Sequence, residues 1–136
     1  MSGAQVHGRG TTAAEAFAEA ARGLFALAVS PGAIEARDVR EVRAHGASPD
    51  ALLQAWLGEC LYVLDVEAFA ASRVEWIRFS LEPAAGGEPL RLHARLHGEE
   101  IAADGRPVGG LAVITARLIE SAGGFEAAAD VRIGPF

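Results

Sequence analysis

The chain has 136 residues, of which 51% are hydrophobic and 22% charged, enough for a single domain spanning residues 1–136 with a real core. Its formal net charge of −6 opposes direct binding to a nucleic-acid backbone, and no apolar run approaches the ~20 residues of a membrane span. All 12 Lys and Arg positions are arginine, which excludes Schiff-base, phosphate-loop and nucleotidyl-lysine chemistry, and the one cysteine, Cys60, excludes an intrachain disulfide.

The first ten residues read as a short strand and lack the basic and apolar regions of a secretory signal, so a cytoplasmic location is expected. Thr12-Ala13-Ala14-Glu15 is a capping box. Phe17, Ala20, Ala21, Leu24 and Leu27 then recur at helical spacing, and Pro31-Gly32 predicts an end near Ser30. Residues Arg37 to Ala44 mix valines with charges and read as a weak edge strand. Ser48-Pro49-Asp50 starts a second helix that runs to about Asp65, with Cys60 on its apolar face as a buried small hydrophobe.

The remainder reads as β. Val74 to Leu81 is a strand, with Ile77, Phe79 and Leu81 on one face and Trp76, Arg78 and Ser80 on the other. Gly86-Gly87 marks a turn. Leu90, Leu92, Ala94 and Leu96 alternate with Arg91, His93, Arg95 and His97, the pattern of a half-buried strand. A loop follows from Gly98 to Gly110. Leu111 to Ile119 is apolar enough for a central strand, Gly123-Gly124 is a hairpin turn, and Phe125 to Ile133 alternates again. Two apolar-faced helices must cover one face of a mostly antiparallel sheet of about six strands. The fold class is α+β, a two-layer sandwich.

Few constellations carry chemistry. His93 and His97 lie four residues apart on a strand, which separates their Cα atoms by ~13 Å, a long reach for shared metal ligation. They read as solvent-facing. With Arg91 and Arg95 they form the one dense basic stripe of an acidic chain, suited to an acidic partner or a phosphate. Asp65 and Glu67 follow the second helix, where negative charge faces the wrong end of the helix dipole; paired carboxylates there could bind a hard cation. Gly105 to Gly110 does not sit between a strand and a helix start, as a phosphate loop would. No Ser/His/Asp or Cys/His pattern stands out, so no catalytic residue is assigned and a stand-alone hydrolase using Asp65, Glu67 or the histidines ranks last.

The second helix, with Leu52-Leu53, Trp56-Leu57, Glu59, Leu61-Tyr62, Asp65 and Glu67, resembles the central helix of the archease family. Ala14-Glu15-Ala16-Phe17 through Gly23-Leu24-Phe25 is similar to the family's first helix, and Ser72-Arg73 fits the segment that follows its second. Gly98-Glu99 with Arg106-Pro107-Val108-Gly109, Ala112 to Thr115, and Gly123-Gly124-Phe125 resemble later family segments in the same order. The resemblance implies a small, non-enzymatic, chaperone-like accessory protein of the GTP-dependent tRNA-splicing RNA ligase, one that accelerates ligase guanylation and turnover. It also implies a divalent cation, usually calcium, held by two aspartates. Here the positions of those aspartates fall at about Gly3 and at Arg132, with Asp130 the nearest acid. A family lysine falls near Ala112 and a histidine near Arg117.

Two functional readings follow. In the first, the protein docks on an RNA ligase without the calcium site. In the second, it is a diverged binding or scaffold protein of the same fold with no ligase activation. Candidate partner-binding residues are Arg91, His93, Arg95, His97, Arg106 and Arg117. Candidate metal-binding residues are Asp130, Asp65 and Glu67. No cofactor, nucleic acid or membrane is expected.

Overall fold

The computed structural model describes residues 2–29, 31–82, 86–101 and 111–133. The order is β1 (Ser2–Gly10), α1 (Ala13–Ala26), a 3-10 turn (Pro31–Ala33), β2 (Asp38–Gly46), α2 (Pro49–Asp65), β3 (Phe69–Phe79), β4 (Leu90–Glu100), β5 (Leu111–Ser121) and β6 (Gly124–Ile133). The two helices and antiparallel strands are those expected. None of the described helices is long and apolar enough to cross a membrane.

Local chemistry sets the helix ends. The Thr12 side chain accepts the Glu15 N–H at 3.1 Å, and the Glu15 carboxylate reaches back to the Thr11 N–H and hydroxyl. The α1 helix stops at Ala26, earlier than the expected Ser30. Its last turn tightens: the Leu27 N–H bonds Leu24 O, and both the Ala28 and Val29 N–H groups bond Phe25 O. At α2 the Ser48 hydroxyl accepts the Ala51 N–H, with Pro49 in the first turn.

The strands divide into two three-stranded sheets, ordered β1–β6–β5 and β2–β4–β3, rather than one continuous sheet. All four pairings are antiparallel. As expected, β2 is an edge strand. The β5 strand, read as central, is an edge strand instead. Its exposed backbone is partly served by α2, because Asp50 accepts the Leu118 N–H at 2.8 Å. That contact takes the place a neighbouring strand would fill.

The core lies between the helices and the inner faces of both sheets. The α1 helix packs on β1, β6 and β3, and α2 packs mainly on β2 and β5, so each helix spans both sheets. Gly8 lets β1 approach α1 closely: a Cβ there would run into the backbone of Ala16 and Ala20. Phe17, Trp56, Phe69 and Leu96 are fully enclosed, and no polar residue is buried among the described residues. The Trp56 indole N–H donates to Phe17 O at 2.9 Å, tying α2 to α1.

One face assignment is corrected. Ile77 is an extra residue in β3, a bulge between the Trp76–Ala94 and Arg78–His93 pairs. The bulge puts Trp76 and Phe79 on the same, inner face and leaves Ile77 exposed. Trp76 then packs at a tilt against Trp56 and Phe79, each with ring centroids 4.9 Å away, and Phe79 meets Phe17 edge-on at 5.0 Å. This aromatic cluster joins both helices to the second sheet.

Candidate functional site

The outer face of β2–β4–β3 gathers half of the chain's arginine and histidine side chains. Ladder register sets the rows. His97 lies between Val39 and Arg73, Arg95 between Glu41 and Glu75, and His93 between Arg43 and Arg78, while Arg91 faces His45. Strands ~4.8 Å apart, with same-face residues ~6.8 Å apart along each, make this a compact grid. In these four rows five arginines meet two glutamates, an excess of three positive charges in a chain of net charge −6, while Glu99, next along the same face of β4, pairs with Arg37.

The two glutamates organise the histidines. Glu41 accepts from His93 Nε2 at 3.1 Å and lies 3.5 Å from Arg95 Nε. Glu75 accepts from His97 Nε2 at 2.8 Å. A carboxylate can only accept, so Nε2 carries the proton in each ring. The hydrogen bond from His93, with the Arg95 and Arg43 charges behind it, holds the Glu41 carboxyl below its ordinary value of 4.5. The bond from His97, with Arg95 and Arg73, does the same to Glu75. The histidines were read as solvent-facing. They do point away from the core, yet their side chains are only 19% and 16% exposed because the neighbouring strands flank them.

Arg91, His93, Arg95 and His97 therefore share one surface. Arg117 does not join them: it is exposed on the outer face of β1–β6–β5, in the row of His7 and Ala128. Arg106 lies outside the described residues, as does most of the Gly98–Gly110 loop; β4 itself continues to Glu100. The sequence reading missed Arg43, His45, Arg73 and Arg78 as members of the face, together with the paired Glu41 and Glu75.

The candidate metal residues are held in separate interactions. Asp130 accepts from Gln5 Nε2 at 3.1 Å and from the Thr115 hydroxyl at 3.0 Å. Glu67 accepts from Arg40 Nε at 2.9 Å, and Arg40 also pairs with Asp38 while lying over the Phe69 ring at 4.6 Å. Arg40 thus supplies the positive charge that an acid beyond a helix C-terminus needs. Asp65 ends α2. No group of three or more His, Cys, Asp or Glu side chains among the described residues is arranged to hold a metal ion. Cys60 is completely buried, and burial pushes its thiol pKa up, so it is no nucleophile.

Comparison with known proteins gives these positions a context. The model of the Archease protein family (MTH1598/TM1083) matches residues 3–129. The chain belongs to the archease family. It is 37% identical over 90 residues to protein archease of Pyrobaculum neutrophilum, covering 66% of this chain and 58% of the relative. To protein archease of Thermococcus gammatolerans it is 36% identical over 94 residues, covering 69% of this chain and 63% of the relative. The matched region is thus under two thirds of each archease. The solution structure of Methanobacterium thermoautotrophicum protein 1598 shares the fold, with a TM-score of 0.64 at 20% identity, over 97% of this chain and 91% of that one.

Membership sharpens the reading of Gly3 and Arg132. The resemblance places the archease cation ligands at these two positions, each counted from a different landmark. The ladder sets Gly3 directly opposite Arg132, and Arg132 opposite Ala112. The row holds no carboxylate and one guanidinium. A hard dication needs several oxygen donors and is repelled by arginine, so these residues do not fit the ion.

Proposed function

We propose that the protein is a non-catalytic accessory factor that docks on a protein partner, an RNA ligase acting in tRNA splicing or RNA repair, and promotes its guanylation and turnover. The observation that carries the reading is the family match over residues 3–129. The surplus of arginine on the outer face of β2–β4–β3 supports a role for that face in docking. It offers steering toward an acidic protein surface. It carries no aromatic platform for stacking bases, so a nucleic acid is the weaker fit. This docking role requires no calcium.

The Gly3–Arg132–Ala112 row favours a second reading, in which the fold serves a different protein partner and ligase activation is absent. One experiment separates the two: GTP-dependent guanylation of the ligase from the same genome, with and without this protein, in buffer with chelator. Stimulation in the chelated buffer supports docking without the ion. No change in guanylation or turnover at saturating protein sinks the accessory role.

A further inference from the structure

The charges on the outer face of β2–β4–β3 are unevenly placed along its strands. Toward the C-terminal end of β4 they are paired, Arg37 with Glu99, His97 with Glu75 and Arg95 with Glu41. In the rows of His97 and Arg95, Arg73 and Arg95 balance Glu41 and Glu75. The two rows at the other end, Arg43–His93–Arg78 and His45–Arg91, hold no carboxylate. Arg43, Arg78 and Arg91 are exposed and make no hydrogen bond or ion pair among the described residues. Glu82 and Glu88, in the connection from β3 to β4, pair with none of them. The whole arginine surplus of the face therefore lies at one end.

The β3 bulge adds an apolar group to the same end. Trp76 and Phe79 both pack against the core, so the two residues between them, Ile77 and Arg78, both lie outward beside His93. Ile77 is 43% exposed. Strand spacing puts the Cα atoms of Arg43 and Arg78 ~10 Å apart, on either side of His93, and Arg91 ~7 Å from His93 along β4. Three guanidinium groups and one isoleucine side chain thus share a patch that three or four residues of extended chain, ~10–13 Å, would cover.

From this we infer that the bulge end of the face is the docking site for a short acidic segment of a protein partner, whose one apolar side chain packs on Ile77 while carboxylates flanking it meet Arg43, Arg78 and Arg91. The inference deepens the docking role proposed above and rests on that reading. Charge complementarity selects the acids: each arginine offers a planar fork of donors that a carboxylate matches, and no acid of this chain occupies it. Ile77 selects a protein over a phosphate or a nucleic-acid backbone, which has no apolar side chain to cover an isoleucine. The strongly negative remainder of the chain repels a long polyanion, whereas a short segment touches this end alone. Glu41 and Glu75 set the limit of the site. An acidic segment that continued along β4 past His93 would meet their carboxylates, so the register of the partner is fixed by repulsion as well as attraction.

The test is a titration of the isotope-labelled full chain with the blocked pentapeptide Asp-Glu-Leu-Asp-Asp, followed by amide chemical shifts. Shifts are expected at Arg43, Ile77, Arg78 and Arg91, and not at Ile119 on the other sheet. Replacing the peptide's leucine by serine should weaken binding about fivefold, and replacing its acids by amides about tenfold or more. Ile77→Ser should weaken the leucine peptide about fivefold and leave the serine peptide unchanged, the coupling expected of two side chains in contact. Ile119→Ser, at an equally exposed isoleucine, should change neither. Shifts spread over both sheets, equal binding of the leucine and serine peptides, or tighter binding of hexathymidylate or inorganic phosphate at the same residues would each overturn the inference. The peptide series leaves the protein unaltered, so it decides even where a variant fails to fold. No ligase enters this assay. In the guanylation assay, full stimulation by a folded Ile77→Ser, Arg78→Glu, Arg91→Glu variant would overturn the site and leave the accessory role standing. No stimulation by the parent chain, with the peptide bound as expected, would sink the ligase reading alone.

Discussion

On the outer face of β1–β6–β5 three arginines meet two acids, a surplus of one, and the Arg117 and Arg132 side chains make no hydrogen bond or ion pair among the described residues. Arg9 donates to Glu126 at 3.0 Å, and Asp130 is satisfied by Gln5 and Thr115. On β2–β4–β3 the acids are spent on His93, His97 and Arg95, while Arg78 and Arg91 make no hydrogen bond or ion pair among the described residues. Both sheets have three antiparallel strands and share one core. Architecture therefore does not dictate the arginine surplus. Like charges on adjacent strands repel, a cost to stability that an external anion relieves. The larger surplus of the second sheet, three against one, is the observation on which the proposed docking face rests.

The comparison assumes that the sheets fold as one body, and the largest predicted effect tests this. No ladder joins them, so the helices and the aromatic cluster fasten one to the other. Trp56→Ala removes the largest fully buried side chain and the indole donor that ties α2 to Phe17 O. Urea denaturation followed by circular dichroism should show a loss of ~3–5 kcal/mol in one transition. Two separate transitions would show that the sheets are independent units. Next in size is a function effect confined to one face. Arg78→Glu with Arg91→Glu should weaken partner binding by about tenfold or more, with stability changed by less than ~0.5 kcal/mol. Arg117→Glu on the other sheet should leave binding unchanged. Equal losses from both would erase the distinction between the faces.

Strong local patterns were readable in the sequence. Leu90 to His97 alternates cleanly, and its stripe is on one outer face as expected. The Ser48-Pro49 start of α2 holds to the residue. The companions of that stripe were hidden because ladder register is non-local. Only the bulges at Ser72 and Ile77 decide that Arg73, Glu75 and Arg78 lie beside β4's basic residues. The same bulge turned Trp76 inward against a simple alternation. The apolar run of β5 misled because burial there comes from α2, not from strands on both sides. Gly3 and Arg132, aligned separately from the first helix and the glycine turn, proved to be ladder partners. That register is a physical check on the family alignment.

Smaller effects sharpen the contrast at the sheet edges. Asp50→Ala should cost about 1–2 kcal/mol, because the Leu118 N–H loses a charged acceptor and the first turn of α2 loses its acid. Exchange at the Leu118 amide should quicken while the β1 and β3 edges are unchanged. If Leu118 exchanges no faster, the edge of β5 is protected by something other than α2.

The smallest expected effect is acid sensitivity, and it differs between the faces in origin. Glu41 and Glu75 are held below 4.5 mainly by hydrogen bonds from histidine, Glu126 mainly by the bond from Arg9. A depressed carboxyl pKa means that the unfolded chain binds the proton more readily. The stabilisation is then full above the unfolded value and is lost as pH falls through the lower, folded one. Glu41→Gln, Glu75→Gln and Glu126→Gln should each flatten the decline of stability below about pH 4.5. The deficit of each Gln variant relative to the parent, measured by urea denaturation from about pH 6 down to about pH 3, should therefore shrink toward zero as pH falls. A deficit that shrinks for Glu126→Gln but stays constant for Glu41→Gln and Glu75→Gln would mean that only the arginine-held carboxyl stabilises through its ionised form, and that the bonds on the second face contribute nothing that acid removes.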